Sequence, residues 1–151
     1  MVLKIAATFI VVIVFAVILE IPRHLLIYAG LVGAFAQSAM FIAGFYTENR
    51  MVQVFMGALM IALISHIFAR ALKAPASVFL VAGILPIVPG EAIYRAVYYF
   101  IRGNQNMVNL YFSKTLSIAG AIALAIFILD SAFMLLTKKK EEGKKKKKNS
   151  A

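Results

Sequence analysis

Glu91 and Arg95 lie four residues apart, directly after Pro86-Ile-Val-Pro89-Gly90, inside an otherwise apolar stretch of membrane-spanning length. A carboxylate and a guanidinium at that spacing share one helical face. Pro86 and Pro89 each remove a backbone donor and clash with the preceding turn, and Gly90 relaxes the dihedral constraint, so a helix through here kinks or unwinds. In hydrocarbon the freed carbonyls need partners from neighbouring helices, water or a ligand. Such breaks are where secondary transporters bind solutes, typically near the bilayer midplane. A helix restarting at about Gly90 turns its N-terminal amides and positive dipole end toward a carboxylate. Arg95 can attract the same anion or neutralise Glu91. Glu91 is also a candidate carrier of a coupling proton, with burial and the neighbouring arginine acting on its ionisation in opposite directions. The competing reading is that the prolines only bend a helix and the charge pair only fixes packing.

Other polar residues in apolar surroundings extend the candidate pathway. Tyr94 directly precedes Arg95, whereas Tyr98 and Tyr99 fit an aromatic belt at the interface. Asp130 interrupts the last apolar run and must face protein or a water-filled cavity, because exposing a carboxylate to lipid costs several kcal/mol. Gln37 and Ser38 sit mid-span, where polar side chains link helices or line a path. His66 lies one turn before Arg70 and reads as an interfacial donor or a proton relay, and His24 beside Arg23 as interfacial. Enzyme chemistry finds no support: the two histidines lie in separate segments with no acidic partner at i+4, and the one histidine close to a serine, His66 directly after Ser65, faces a different direction. No cofactor or metal is implied.

These residues must be positioned by membrane helices. Apolar residues make up 63% of the chain and the mean hydropathy is +0.91, with the apolar positions in long runs. A spanning helix needs about 20 such residues. Five segments qualify, at about residues 2–19, 25–46, 51–71, 76–101 and 115–136. The fold expected is therefore an all-α integral membrane protein, a five-helix transmembrane bundle over residues 1–137 with a proline-broken fourth helix. Residues 102–106 form the longest expected loop. The first segment also resembles a signal peptide, but it lacks a small-residue cleavage site and Glu20-Ile-Pro-Arg23 follows directly. Small residues at four-residue spacing, Ala29 and Gly33, Gly30 and Ala34, and Ser117, Ala121 and Ala125, allow close helix approach.

The net charge of +10 is concentrated in residues 138–151, where eight lysines face Glu141 and Glu142. This segment has no apolar face and is expected to be a disordered tether. Its charge favours the cytoplasmic side, which with five spans puts the N-terminus outside, Arg23, Arg70 and Lys73 inside, and Arg50, Arg102 and Lys114 outside. The lysines suit anionic lipid headgroups. Without interleaved aromatics they do not suit nucleic acid.

The chain resembles the smaller subunit, or C-terminal half, of the threonine/serine exporter family. The resemblance is carried by Ile21-Pro22-Arg23, the glycine-rich second span with Gln37-Ser38, Ala69-Arg70 before Lys73-Ala-Pro75-Ala, and Val78-Phe79 followed by Pro86-Ile-Val-Pro89-Gly90 and Tyr94. It covers residues 19–102 well and the rest by hydropathy. The family implies a second, larger five-span partner with a soluble extension and export of small polar metabolites: threonine or serine, or succinate in a two-protein relative. It further implies a bacterial inner-membrane location. Homo-oligomerisation and a purely structural subunit with no solute path are the alternatives. The roles of Glu91 and Arg95 rest on physics, not on the resemblance.

Overall fold

A computed structural model describes the backbone of residues 2–148 and the side chains of residues 2–136. Among these residues there are six α-helices and no strand: α1 (Val2–Ile18), α2 (Leu26–Tyr46), α3 (Arg50–Leu72), α4 (Ala76–Ile84), α5 (Gly90–Ile101) and α6 (Gln105–Lys148). Short 3-10 turns at Arg23–Leu25 and Leu85–Ile87 precede α2 and follow α4.

Three helical stretches, Arg23–Tyr46, Arg50–Leu72 and Gln105–Leu136, are long and apolar enough to cross a membrane. The α4–α5 pair makes a fourth if taken as one span, and it is bent by 53° at the break. The 17 residues of α1 are apolar but shorter. At 1.5 Å per residue they reach about 26 Å, the low end of what a bilayer core requires. The molecule is thus an all-α membrane bundle with the proline-broken helix that its sequence predicts.

Helix ends follow local chemistry. Asn49 caps α3, its Oδ1 accepting from the Met51 amide at 2.9 Å, which satisfies a first-turn donor. Glu20 (φ 55°), Lys73 (φ 52°) and Gly103 (φ 71°) take the left-handed conformation just past α1, α3 and α5. In each case the next amide reaches back five residues, as Ile21 to Ala16, Ala74 to Ala69 and Asn104 to Tyr99, all at 3.0 Å, closing the orphan carbonyls of a helix end.

One expectation is corrected. The polar link at residues 102–106 is not a long loop, because α6 starts at Gln105, ten residues before the expected 115. Asn104 accounts for this: its Oδ1 accepts from Met107 N at 3.3 Å and its carbonyl from Val108 N at 3.1 Å. Hydropathy counting does not register such a cap. At the other end the helical backbone of α6 runs to Lys148; lysine and glutamate are good helix formers, and propagation adds one hydrogen bond per residue. Residues 149–151 of that segment lie outside the described residues.

Helices α1, α2, α3 and α6 pack side by side in chain order, α4 is wedged against α1, α2 and α3, and α5 packs against α6. Val12, Val32, Val54, Ile61 and Phe79 are fully buried at the centre. Glycine makes the wedge possible. A Cβ on Gly83 of α4 would lie 2.8 Å from Val32 and 3.1 Å from Ile61, and one on Gly30 of α2 would lie 2.8 Å from Phe9 and Ile13 of α1. This is close packing through small residues, without a hydrophobic driving force between helices. On α6 the side turned to α3 is Ile118, Ala121, Ile122 and Ala125, all buried, while Ser117 is exposed.

Candidate functional site

The break is a built corner rather than a smooth kink. Pro86 sits in the 3-10 turn, and Pro89 (φ −76°, ψ 53°) turns the chain so that the Gly90 amide donates to the Val88 carbonyl at 2.8 Å. Helix α5 then starts without any side-chain cap. Its first-turn amides have no partners inside the helix, and the residues that carry them, Glu91 and Ala92, line a cavity of about 310 Å³. Pro86, Ile87, Val88, Pro89 and Gly90 form the rest of that rim, Arg50 and Val54 come from α3, and Tyr111, Lys114 and Ile118 come from α6. None of its lining comes from α1, α2 or α4.

Both signs of charge are present. Glu91 Oε1 lies 2.9 Å from Arg95 Nε, and the two side chains are 79% and 45% exposed, so the pair is open to the surroundings rather than sealed in a dry seam. Arg95 also donates from Nη1 to the Tyr111 hydroxyl at 3.1 Å, and its guanidinium sits 5.5 Å from that ring. Tyr99, one turn beyond Arg95, stacks on Tyr111 at 5.6 Å. Arg50 and Lys114 then stand as two further cations at the cavity edge. Arg50 opens α3, with Val54 one turn further in, about 6 Å, whereas Lys114 lies nine residues into α6. The break therefore lies near the Arg50 end of α3.

The sequence candidates divide into separate places. Pro86, Pro89, Gly90 and Glu91 line the cavity, and Arg95 stands behind Glu91. Tyr94 is 67% exposed and stacks on Tyr98 at 6.2 Å, away from the cavity lining. Gly90 has ordinary negative φ and open space where a Cβ would stand, so the glycine is not needed to relax the backbone. His66 and Asp130 form a second cluster, with Nε2 to Oδ1 at 2.6 Å between α3 and α6. The His66 ring stacks on Phe133 at 4.5 Å, and the Arg70 guanidinium lies 5.0 Å from the same ring. His66 is twelve residues from Val54 on α3, about 18 Å, so this cluster does not touch the break. Gln37 lines a different polar cavity with Lys4, Arg50 and Gln53. Ser38 bonds back to the Ala34 carbonyl at 2.9 Å and faces an apolar groove beside Ile42 and Met56. Arg50, Lys114 and Tyr111 were missed as site residues, since charges at span ends read as topology signals. Their signal in the sequence was that both cations border the spans flanking the break.

A family model described as Threonine/Serine exporter, ThrE matches residues 4–132. The match extends beyond residues 19–102 to take in α1 and the apolar part of α6 as far as the His66–Asp130 pair. No solved structure matches the chain. The chain belongs to the threonine/serine exporter family and is a multi-pass membrane protein of an exporter type.

Proposed function

We propose that this member of the threonine/serine exporter family moves a small α-amino acid past the proline break. The carboxylate rests against the first turn of α5 between Arg50 and Lys114, and the ammonium group rests against Glu91. The observation that carries this reading is one cavity of about 310 Å³ that combines a helix N-terminus, two cations and one carboxylate. A zwitterion satisfies both signs. At about 30 Å³ per water the cavity has room for roughly ten waters, which suits an amino acid of threonine or serine size. A dicarboxylate such as succinate is the second reading, favoured by the two cations Arg50 and Lys114 and opposed by Glu91.

The remaining features fit a secondary exporter in the bacterial inner membrane. The lysine-rich C-terminal segment favours the cytoplasmic side, which leaves the N-terminus and the break cavity outside, where an exported solute is released. A larger subunit of the same family would supply the missing wall, because the cavity is lined only from α3, the break, α5 and α6. The rival reading is a structural or assembly subunit with no path of its own.

The test is efflux of labelled L-threonine, L-serine and succinate from loaded proteoliposomes, with and without a larger family subunit. Partner-dependent amino-acid flux that is lost in the Glu91→Ala, Arg95→Ala double variant is expected. Flux that survives the double replacement supports the structural reading, and no flux of any of the three solutes defeats the functional one.

A further inference from the structure

We propose that the polar cavity between α1, α2 and α3 is a second binding site for the solute carboxylate, joined to the break cavity through Arg50. The inference rests on the break cavity being the solute path. The second cavity has a volume of about 240 Å³ and is lined by Lys4, Gln37, Arg50 and Gln53 together with apolar residues that include Met40 and Phe41. Arg50 lines both cavities, so one cationic residue borders two chambers.

Its neighbours place that guanidinium without neutralising it. Gln53 Nε2 donates to the Thr47 carbonyl at 2.9 Å, which turns Gln53 Oε1 toward Arg50 Nη1 at 3.5 Å. Among the described residues no carboxylate pairs with Arg50 or Lys4. Gln37 is partly buried in the middle of α2, and no side-chain hydrogen bond engages its amide among the described residues. Amides inside membrane helices ordinarily bond across to a neighbour; this one opens into a cavity with two cations. Two cationic donors and an amide donor around one small space form an acceptor-seeking set, and a carboxylate is the matching ligand.

Depth selects a solute over a lipid headgroup. Gln37 lies nine residues inside the Tyr46 end of α2, about 14 Å along the helix. A lipid phosphate held at the boundary reaches Arg50 and Lys4 but not Gln37. A solute bound by Gln37, Lys4 and Arg50 exchanges to the break cavity while keeping its contact with Arg50.

The experiment is equilibrium binding of labelled L-threonine, L-serine and succinate to the full chain in neutral-lipid nanodiscs, with and without a larger family subunit. Two molecules of the preferred solute per chain are expected. Gln37→Leu removes one of them and leaves the other unchanged, Lys4→Gln weakens the same site by about tenfold or more, and Arg50→Gln weakens both. Glu91→Gln with Lys114→Gln removes only the break site. Gln37→Asn, which keeps a polar helix face but withdraws the amide, gives the same selective loss and guards against misfolding of Gln37→Leu. A stoichiometry of one that ignores Gln37 overturns the inference and leaves the break site standing. A single Gln37-dependent site that ignores Glu91 and Lys114 overturns the break reading instead. Displacement of the Gln37-dependent solute by added phosphatidylglycerol assigns the cavity to a headgroup and overturns the inference, and binding of none of the three solutes even with the larger subunit overturns both readings.

Discussion

The Glu91 carboxylate stands at the cavity with its side chain 79% exposed, and exposed ion pairs contribute little to folding. Replacing Glu91 by Gln should therefore leave thermal unfolding in detergent nearly unchanged while lowering efflux; a large fall in melting temperature would make the pair structural. Gly90 separates the same alternatives from the backbone side. No atom lies within 4 Å of a Cβ placed there, so Gly90→Ala should fold normally and gain slightly in stability through the unfolded chain. If the solute carboxylate approaches that turn, the added methyl blocks it, and efflux falls without loss of fold. Ser65 is different in kind: it is fully buried, and its hydroxyl has no partner among the described residues. Ser65→Ala is expected to be neutral or stabilising by up to about 1 kcal/mol, as for removal of an unsatisfied buried hydroxyl. The His66–Asp130 bond ties α3 to α6, and Asp130→Ala should cost roughly 0.5–1 kcal/mol, the usual scale for a hydrogen bond between membrane helices.

At the scale of elements, α4 holds its place because Gly83 lets Val32 and Ile61 approach. Gly83→Val forces those side chains apart and should cost about 1–3 kcal/mol, the range for overpacked cores. Detergent melting checks it, and an unchanged midpoint would mean that α4 shifts freely. Displacing α4 also carries the Leu85–Ile87 turn and the break with it, so transport should fall together with stability, unlike in Gly90→Ala. Helix α5 is bound differently. Its contacts to α6 run through Arg95, Tyr99 and Tyr111, while Ile93, Val97, Phe100 and Ile101 are exposed along one stripe at helical spacing. In a membrane exporter that stripe meets lipid or a partner helix.

For the whole molecule, the orientation argument is testable because the chain has no cysteine. Single cysteines at Arg102 and Lys73 should label from outside and inside respectively with a membrane-impermeant maleimide. The opposite pattern would put the break cavity on the cytoplasmic face, where it would load rather than release the exported solute.

The run lengths of apolar residues determined by themselves that this is a helical membrane protein, since hydrocarbon leaves backbone polar groups no other way to be satisfied. Pro86 and Pro89 likewise announced the break, because a missing donor and a ring clash are local facts, and the motif around them carried the family resemblance. What residue spacing could not supply was proximity across helices. That Arg50 and Lys114 line one cavity with Glu91, that His66 reaches Asp130 sixty-four residues away, and that Gln37 and Ser38 part company onto different surfaces depend on the rotation of each helix against its neighbours. Those rotations are set by where glycines such as Gly30 and Gly83 admit the facing side chains. The place of the break was decided in the same way: α4 packs as a short wedge against α1, α2 and α3, and that packing brings residues 86–90 beside Arg50 of α3 and Lys114 of α6.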